Sequence, residues 1–315
     1  MANVTVTGPF EYNFNTVVGN KSLSSFNTGS YTFESSQEYF TVSFDGGRSG
    51  PALSIELSQK TSHAVIDVDL RGSGLDSTDV LKATSLNFDS VLPLVLRGND
   101  TISGGGNLYG GGGNDLFNMA GTLGGSADGG SGTDTLQIDP GLTVKQIGES
   151  RFAIAGTTSD GRAVTIAAYD MERIKVGTDV TAFDISGNAG QGYRLYQAAF
   201  ARTPDTPGLS LNVNVLDKGA SLHDLAASFL GSPEFTQRYG ANLSNTDFVA
   251  ALYQNALHRA PDAAGQANWV NALNAGVIDR ATALAGFSES LENHIATDPT
   301  LVTGIHLDAA YLTFG

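Results

Sequence analysis

Glycine and aspartate recur in this chain at a spacing suited to holding a hard cation. Gly110-Gly111-Gly112-Gly113-Asn114-Asp115-Leu116-Phe117 is followed by Gly129-Gly130-Ser131-Gly132-Thr133-Asp134-Thr135-Leu136-Gln137. Both fit the nine-residue pattern G-G-x-G-x-D-x-U-x, where U is a large apolar residue. A half copy, Gly98-Asn99-Asp100-Thr101-Ile102, precedes them. Glycines let the backbone turn with positive φ and bring carbonyl oxygens close to an ion. Aspartate adds the anionic oxygen that calcium takes. The expected cofactor is therefore Ca2+. The expected ligand-forming residues are Gly98, Asn99, Asp100, Gly110, Gly111, Gly113, Asp115, Asp128, Gly129, Gly130, Gly132 and Asp134. A lone Gly-rich run would suit a flexible linker equally well. Two complete nonapeptides, with the apolar position filled, favour a folded site.

The apolar residue after each aspartate is expected to point into a narrow core between short parallel strands. The spacing is irregular. Asp100 and Asp115 are 15 residues apart, and Asp115 and Asp134 are 19 apart. Two nonapeptides per coil would give about 18. A short roll holding roughly one to three ions is expected.

The two motifs resemble the repeats of the RTX family of calcium-dependent, type I-secreted proteins. That resemblance implies a calcium β-roll, an extracellular compartment and folding triggered by calcium. It also implies export through a one-step channel that reads an uncleaved C-terminal signal. The segment from Asp308 to Gly315, with Tyr311, Leu312 and Phe314, is compatible with such a signal. The first residues, Met1-Ala2-Asn3-Val4-Thr5-Val6, carry neither the basic region nor the apolar run of a cleaved leader.

Composition limits the alternatives. The chain has 315 residues, enough for two or three domains, and carries 32 acidic against 17 basic residues, a net charge of −15. Such a chain would be repelled by phosphate, so nucleic acid is not an expected partner. It suits divalent cations, and it self-repels where they are scarce. With no cysteine, disulfides and thiolate metal sites are excluded. No apolar run reaches transmembrane length.

The elements that must position the motifs read as β first and α later. Residues 1–92 are expected to form a β domain, a sandwich or a solenoid. Alternation appears at Phe10-Tyr12-Phe14, Phe40-Val42-Phe44, Leu53-Ile55-Leu57 and Ile66-Val68-Leu70. Residues 93–139 are the roll, entered through Leu94 and Leu96. Residues 140–186 form a β flank that caps it, with Val144, Phe152, Ile154, Val164, Ile166, Ile174 and Val176 as core positions. An uncapped roll would expose unpaired backbone and apolar side chains.

From residue 187 the apolar period changes to three and four, and the sequence repeats at 57 residues. Leu195-Tyr196-Gln197 matches Leu252-Tyr253-Gln254, and Arg202-Thr203-Pro204-Asp205 matches Arg259-Ala260-Pro261-Asp262. Gly208, Leu216 and Gly219 match Gly265, Leu273 and Gly276; with one inserted residue, Phe229 matches Phe287. Ser221, Ser232-Pro233-Glu234 and Asp279 read as helix starts, Gly219 and Gly276 as helix stops. An all-α domain of about six helices in two similar halves is expected over 187–297, with residues 298–315 as a tail. Each arginine is expected to close its Pro-Asp turn by hydrogen bonding, and Tyr196 and Trp269 to be core.

This doubled pattern resembles the domain called DUF4214, which often follows RTX repeats and has no settled activity. The first copy departs from it with Leu209-Ser210-Leu211, where the second keeps Trp269. The segment from Arg259 to Gly265 is also similar to the anchoring region of RTX-type S-layer proteins. That likeness implies contact with cell-surface polysaccharide or lipopolysaccharide.

Catalytic patterns are missing from the sequence. There is no H-E-x-x-H helix, no G-x-S-x-G elbow and no phosphate loop, and His63, His223, His258, His294 and His306 are scattered. The expectation is a non-catalytic, secreted surface protein whose partners are calcium, further copies of itself and a surface glycan. A soluble glycan- or host-binding module and a hydrolase with an unmarked carboxylate pair are the alternatives.

Overall fold

The computed structural model describes residues 99 and 101–314, together with the backbone of eight strands between residues 2 and 84. Those strands are β1 (Ala2–Gly8), β2 (Asn13–Val18), β3 (Lys21–Ser24), β4 (Gly29–Ser35), β5 (Tyr39–Asp45), β6 (Ser54–Gln59), β7 (Val65–Asp69) and β8 (Val80–Thr84). The chain divides into two compact units, Met1–Thr178 with Phe314–Gly315, and Asp179–Thr313. The class is mixed, β in the first unit and mainly α in the second.

Within the expected alternating runs, residues 40–44, 54–57 and 66–69 fall in β5, β6 and β7, and Phe14 falls in β2; Phe10, Tyr12, Leu53 and Leu70 lie outside the described residues. Antiparallel and parallel pairings both occur among these strands. β1 pairs antiparallel with β4 and β6, and β2 with β3 and β5. β5 pairs parallel with β7, and β6 with β8. Leu94 and Leu96 lie outside the described residues.

From residue 101 the strands are β9 (Thr101–Ser103), β10 (Gly106–Gly112), β11 (Leu116–Asn118), β12 (Gly124–Ser131) and β13 (Thr135–Ile138), then β14 (Thr143–Gly148), β15 (Arg151–Thr157), β16 (Ala163–Tyr169) and β17 (Arg173–Val176). The chain alternates between two sheets. One holds β17-β13-β11-β9-β8-β6 in parallel; the other has the order β10-β12-β16-β15-β14. The register aligns one apolar position per strand: Ile55 pairs with Leu81, Leu81 with Ile102, Ile102 with Phe117, Phe117 with Leu136 and Leu136 with Ile174. In the other sheet Leu108, Ala127 and Ala168 stack likewise, and all three are buried.

The offsets between coils are real features of the register. Thr101 pairs with Leu116 and Leu116 with Thr135, which reproduces the uneven 15- and 19-residue spacing. β15 and β16 alternate buried with exposed residues, so Phe152, Ile154, Val164 and Ile166 enter the core as expected, with Ile174 beside them. Val144 and Val176 are only half-buried. Edge strand β14 is mostly exposed and carries a bulge between Gln146 and Gly148, a feature that discourages further pairing.

The second unit holds β18 (Asp179–Ala182), eight helices and β19 (Ile305–Asp308), which pairs antiparallel with β18. The helices are α1 (Asn188–Phe200), α2 (Thr206–Asp217), α3 (Leu222–Leu230), α4 (Pro233–Tyr239), α5 (Asn245–Ala256), α6 (Ala263–Asn274), α7 (Arg280–Ser288) and α8 (Leu291–Leu301). This corrects the expectation of six helices; over 187–297 the regular elements are all helices, and the two strands flank them. The breaks before α4 and α8 are two residues long and are restarted by capping Ser232 and Ser290, so the pattern reads continuously across them. Helices α1–α4 and α5–α8 are the two halves.

Their ends repeat in detail. Asp205 and Asp262 cap α2 and α6, accepting from the N–H of Gly208 at 2.9 Å and of Gly265 at 2.8 Å. Gly219 and Gly276, at φ 89° and 67°, close the same helices. Ala220 N–H donates to Val215 O and Gly219 N–H to Leu216 O; Val277 to Ala272 and Gly276 to Leu273 repeat the pair. Tyr196 packs edge-on against Phe229, and Tyr253 against Phe287, with ring centroids 5.4 and 4.9 Å apart. Trp269 lies 5.0 Å from Phe287, as core.

Candidate metal centre

The two nonapeptides lie one coil apart, each as the end of one strand, a tight turn and the start of the next. β10 turns into β11 through Gly113–Asp115, and β12 into β13 through Gly132–Asp134. Gly111 pairs with Gly130 across β10 and β12.

The glycines at positions one and four answer different needs. Position four needs backbone freedom: Gly113 and Gly132 have φ of 128° and 140°, which other residues rarely adopt. Position one needs space. A Cβ on Gly110 would strike the Asp115 carboxylate and stand 2.7 Å from the Gly129 carbonyl oxygen. A Cβ on Gly129 would strike Asp134 Oδ2 and the Asp170 carbonyl oxygen. Where each methyl group would sit, a carboxylate and a carbonyl oxygen from successive coils converge.

Asp115 and Asp134 are both buried, at 1% and 0% exposure, a depth carboxylates rarely reach. Asp115 N–H donates to Asp134 Oδ1 at 2.8 Å, and Asp134 N–H donates to Glu172 Oε2 at 2.8 Å. A parallel ladder runs alongside. Asn114 N–H donates to Asn99 Oδ1 at 2.7 Å, and Thr133 N–H to Asn114 Oδ1 at 2.9 Å. Asp134 Oδ2 is buried without a hydrogen-bond partner. Leaving such a group unmatched is costly.

Burial pushes the Asp134 carboxyl up to about 8, and the charges of Asp115, Glu172 and Asp128 add to the rise. Asp128, half-buried in β12, is raised too, first by burial and then by Asp170. The unfolded Asp134 loses its proton near pH 4 while the folded one holds it to about 8. Stability without metal therefore falls as pH rises across that window. Denaturant unfolding of chelated protein at pH 5 and pH 8 is expected to show the lower midpoint at pH 8. Saturating calcium should reverse that order.

The structure thus brings together Gly110, Asp115 and Gly129, and again Gly129, Asp134 and Asp128. Asn99 joins through its bond to Asn114. Gly98 and Asp100 lie outside the described residues. Among the described residues no group of three or more His, Asp or Glu side chains is arranged to hold a metal. A cation here would draw on backbone carbonyls as well as carboxylates. Sequence reasoning missed Asn114, Asp170 and Glu172. One signal was present: Asp134 and Glu172 are 38 residues apart, twice the 19 between Asp115 and Asp134.

In the second unit the arginines of the repeat do more than close their turns. Arg202 Nε donates to Glu234 at 2.8 Å and Arg259 Nε to Glu292 at 2.6 Å, each reaching the last helix of its half, α4 and α8. Each guanidinium also covers a tyrosine ring, Tyr196 and Tyr253, at 4.7 and 4.9 Å. These pairs are structural, as expected, with glutamate partners the sequence did not mark.

Residues 226–296 match the family model described as Domain of unknown function (DUF4214). The match runs from within α3 to α8, so it takes in the second half of the repeat and leaves α1 and α2 outside. It is narrower than the 187–297 expected. No curated protein and no solved structure matches the chain. No helix among the described residues is long and apolar enough to cross a membrane.

Proposed function

We propose that this chain is a secreted, calcium-binding, non-catalytic surface protein of RTX type, whose first unit folds on extracellular calcium. The observation that carries this reading is Asp134: a buried carboxylate with an unmatched oxygen, facing glycine backbone, in a column with Asp115 and Glu172. Carboxylate and carbonyl oxygens are a hard donor set, which suits calcium better than zinc or copper. Gly110, Asp115, Gly129 and Asp134, with Asp128 beside them, would hold the ion. Bound calcium supplies positive charge where the folded chain concentrates negative charge.

The chain's own residues set the rest. Glycine at positions one and four permits the close approach, the apolar column aligns the coils, and the carboxylates keep the fold poised against itself until charge is neutralised. Where calcium is scarce, the net charge of −15 favours an open chain suited to a type I channel. Outside the cell, calcium at about millimolar level meets extracellular sites of similar affinity, and binding only the folded form stabilises it. The helical unit then serves contacts with further copies or with cell-surface polysaccharide or lipopolysaccharide, as in an S-layer or biofilm matrix.

Light scattering with far-UV circular dichroism tests both parts. Calcium is titrated to several millimolar into chelator-treated full-length protein. Gain of β signal and growth into large particles, reversed by chelator, are expected. A spectrum insensitive to calcium would overturn the metal reading. A calcium-ordered monomer would overturn assembly and leave a soluble binding module.

A further inference from the structure

The last nonapeptide raises a question of closure. A site built between successive coils needs a following coil, and no third G-G-x-G-x-D motif follows Asp134. The structure nevertheless repeats the same contacts once more with different residues. Between the first pair of coils, Thr135 N–H donates to Asp115 O at 2.8 Å; between the second, Arg173 N–H donates to Asp134 O at 2.9 Å. Asp115 N–H donates to the Asp134 carboxylate; Asp134 N–H donates to the Glu172 carboxylate. The Gly129 carbonyl oxygen stands over Gly110; the Asp170 carbonyl oxygen stands over Gly129.

Asp170 thus takes the place of the first glycine and Glu172 the place of the aspartate. Asp128 pairs with Tyr169 and Thr135 with Arg173, so the register agrees. The turn is contracted. Met171 alone separates Asp170 from Glu172, where four residues separate Gly129 from Asp134. Asp170 holds a left-handed φ of 47°, a conformation that aspartate tolerates better than most residues and that tends to cluster at ligand clamps. Glutamate's extra methylene lets a carboxylate reach from the shorter turn. Asp134 Oδ2, buried and without a hydrogen-bond partner, converges with the Asp170 carbonyl oxygen on the space over Gly129.

We infer that the turn Asp170–Glu172 is the closing half of a second divalent-cation site, with the Asp134 carboxylate, the Asp170 carbonyl and the Glu172 carboxylate as its oxygen donors. The inference rests on the calcium reading above and extends it to a segment outside the repeats. Glu172 then has two tasks: it orients Asp134 through its N–H and adds the second negative charge.

The test is calcium binding by equilibrium dialysis and calorimetry on the chelated full-length chain. The variants compared are Glu172→Gln, Glu172→Asp, Asp134→Asn and Asp115→Asn. Glutamine keeps the acceptor for Asp134 N–H and removes only charge. Glu172→Gln is expected to weaken one class of site by about 10–100-fold and to leave a tighter class that Asp115→Asn removes. Glu172→Asp should recover most of the loss. If Glu172→Gln binds like wild type while Asp134→Asn does not, the closing role is overturned and the calcium reading stands. If Glu172→Asp binds no better than Glu172→Gln, charge at this turn is irrelevant and the inference fails. Wild type that binds no calcium would remove both readings together.

Discussion

Replacing Asp115 and Asp134 together by asparagine is expected to raise the calcium concentration at the folding midpoint by about a hundredfold or more. The same change should make the metal-free protein more stable. The two effects have one origin. Both carboxylates are buried, and taking a carboxylate out of water costs several kcal/mol unless a cation or hydrogen bonds compensate. Asparagine keeps the shape and the Oδ1 acceptor that Asp115 N–H uses on Asp134. Its amide can also donate to the Asp170 carbonyl oxygen, which lies beside Asp134 Oδ2 across Gly129. On the proposed reading, the cost borne by the metal-free fold is relieved, and the drive to bind calcium goes with it.

A merely structural role for these aspartates predicts a different pattern. The double substitution would then lower stability at every calcium concentration, and the midpoint of the calcium titration would not move. Far-UV circular dichroism against free calcium, with denaturant unfolding in chelator, reads both quantities. An unchanged calcium requirement would take both residues out of the site.

How far the sequence reached depended on the range of the contacts. Position one, position four and the aspartate of each nonapeptide lie a few residues apart in one strand end and turn, so their spacing shows in the residues themselves. The apolar column was legible for the same reason, since Phe117 and Leu136 follow their aspartates at a fixed interval. Glu172 was hidden because a hairpin, β14 and β15, is inserted before it and its turn has lost three residues. The helix caps were legible because a serine or aspartate acts on the third residue beyond it. Glu234 and Glu292 were not, lying 32 and 33 residues from the arginines they bind. In the first 92 residues alternation marked strands and left their partners open, because a period of two says which face is apolar and nothing about the neighbouring strand.

The least legible feature of the second unit carries its largest expected mutational effect. Arg194 in α1 has 0% exposure and is bound on three sides. Its Nε and Nη2 donate to the two oxygens of Glu289 at 2.9 and 2.6 Å. Its Nη1 donates to Asp298 at 2.9 Å and to the carbonyl of Ile185 at 2.8 Å. His294 lies between the same carboxylates, 2.7 Å from Asp298 and 3.4 Å from Glu289. The internal repeat conceals this network, because its members occur in one half only. Arg194 corresponds to Ala251, and Glu289 and Asp298 correspond to Gly231 and Gly240. Arg194 ties the end of α7 and the body of α8 to α1, 95 and 104 residues away. Arg194→Ala would leave two carboxylates facing each other beside a cavity. Removing one partner of a buried ion pair costs about 3–5 kcal/mol. Glu289 and Asp298 keep 25% and 28% side-chain exposure and can rehydrate in part, so the lower end of that range is expected. Arg194→Lys should fall between, because an ammonium keeps the charge and loses the planar fork that binds Glu289 at both oxygens. Urea unfolding followed by Trp269 fluorescence reports on the unit that contains both the tryptophan and the network. A midpoint for Arg194→Ala equal to that of wild type would show that the pairing adds nothing to the fold, and that α8 is held by Asn293, Thr297 and Leu301 packing alone.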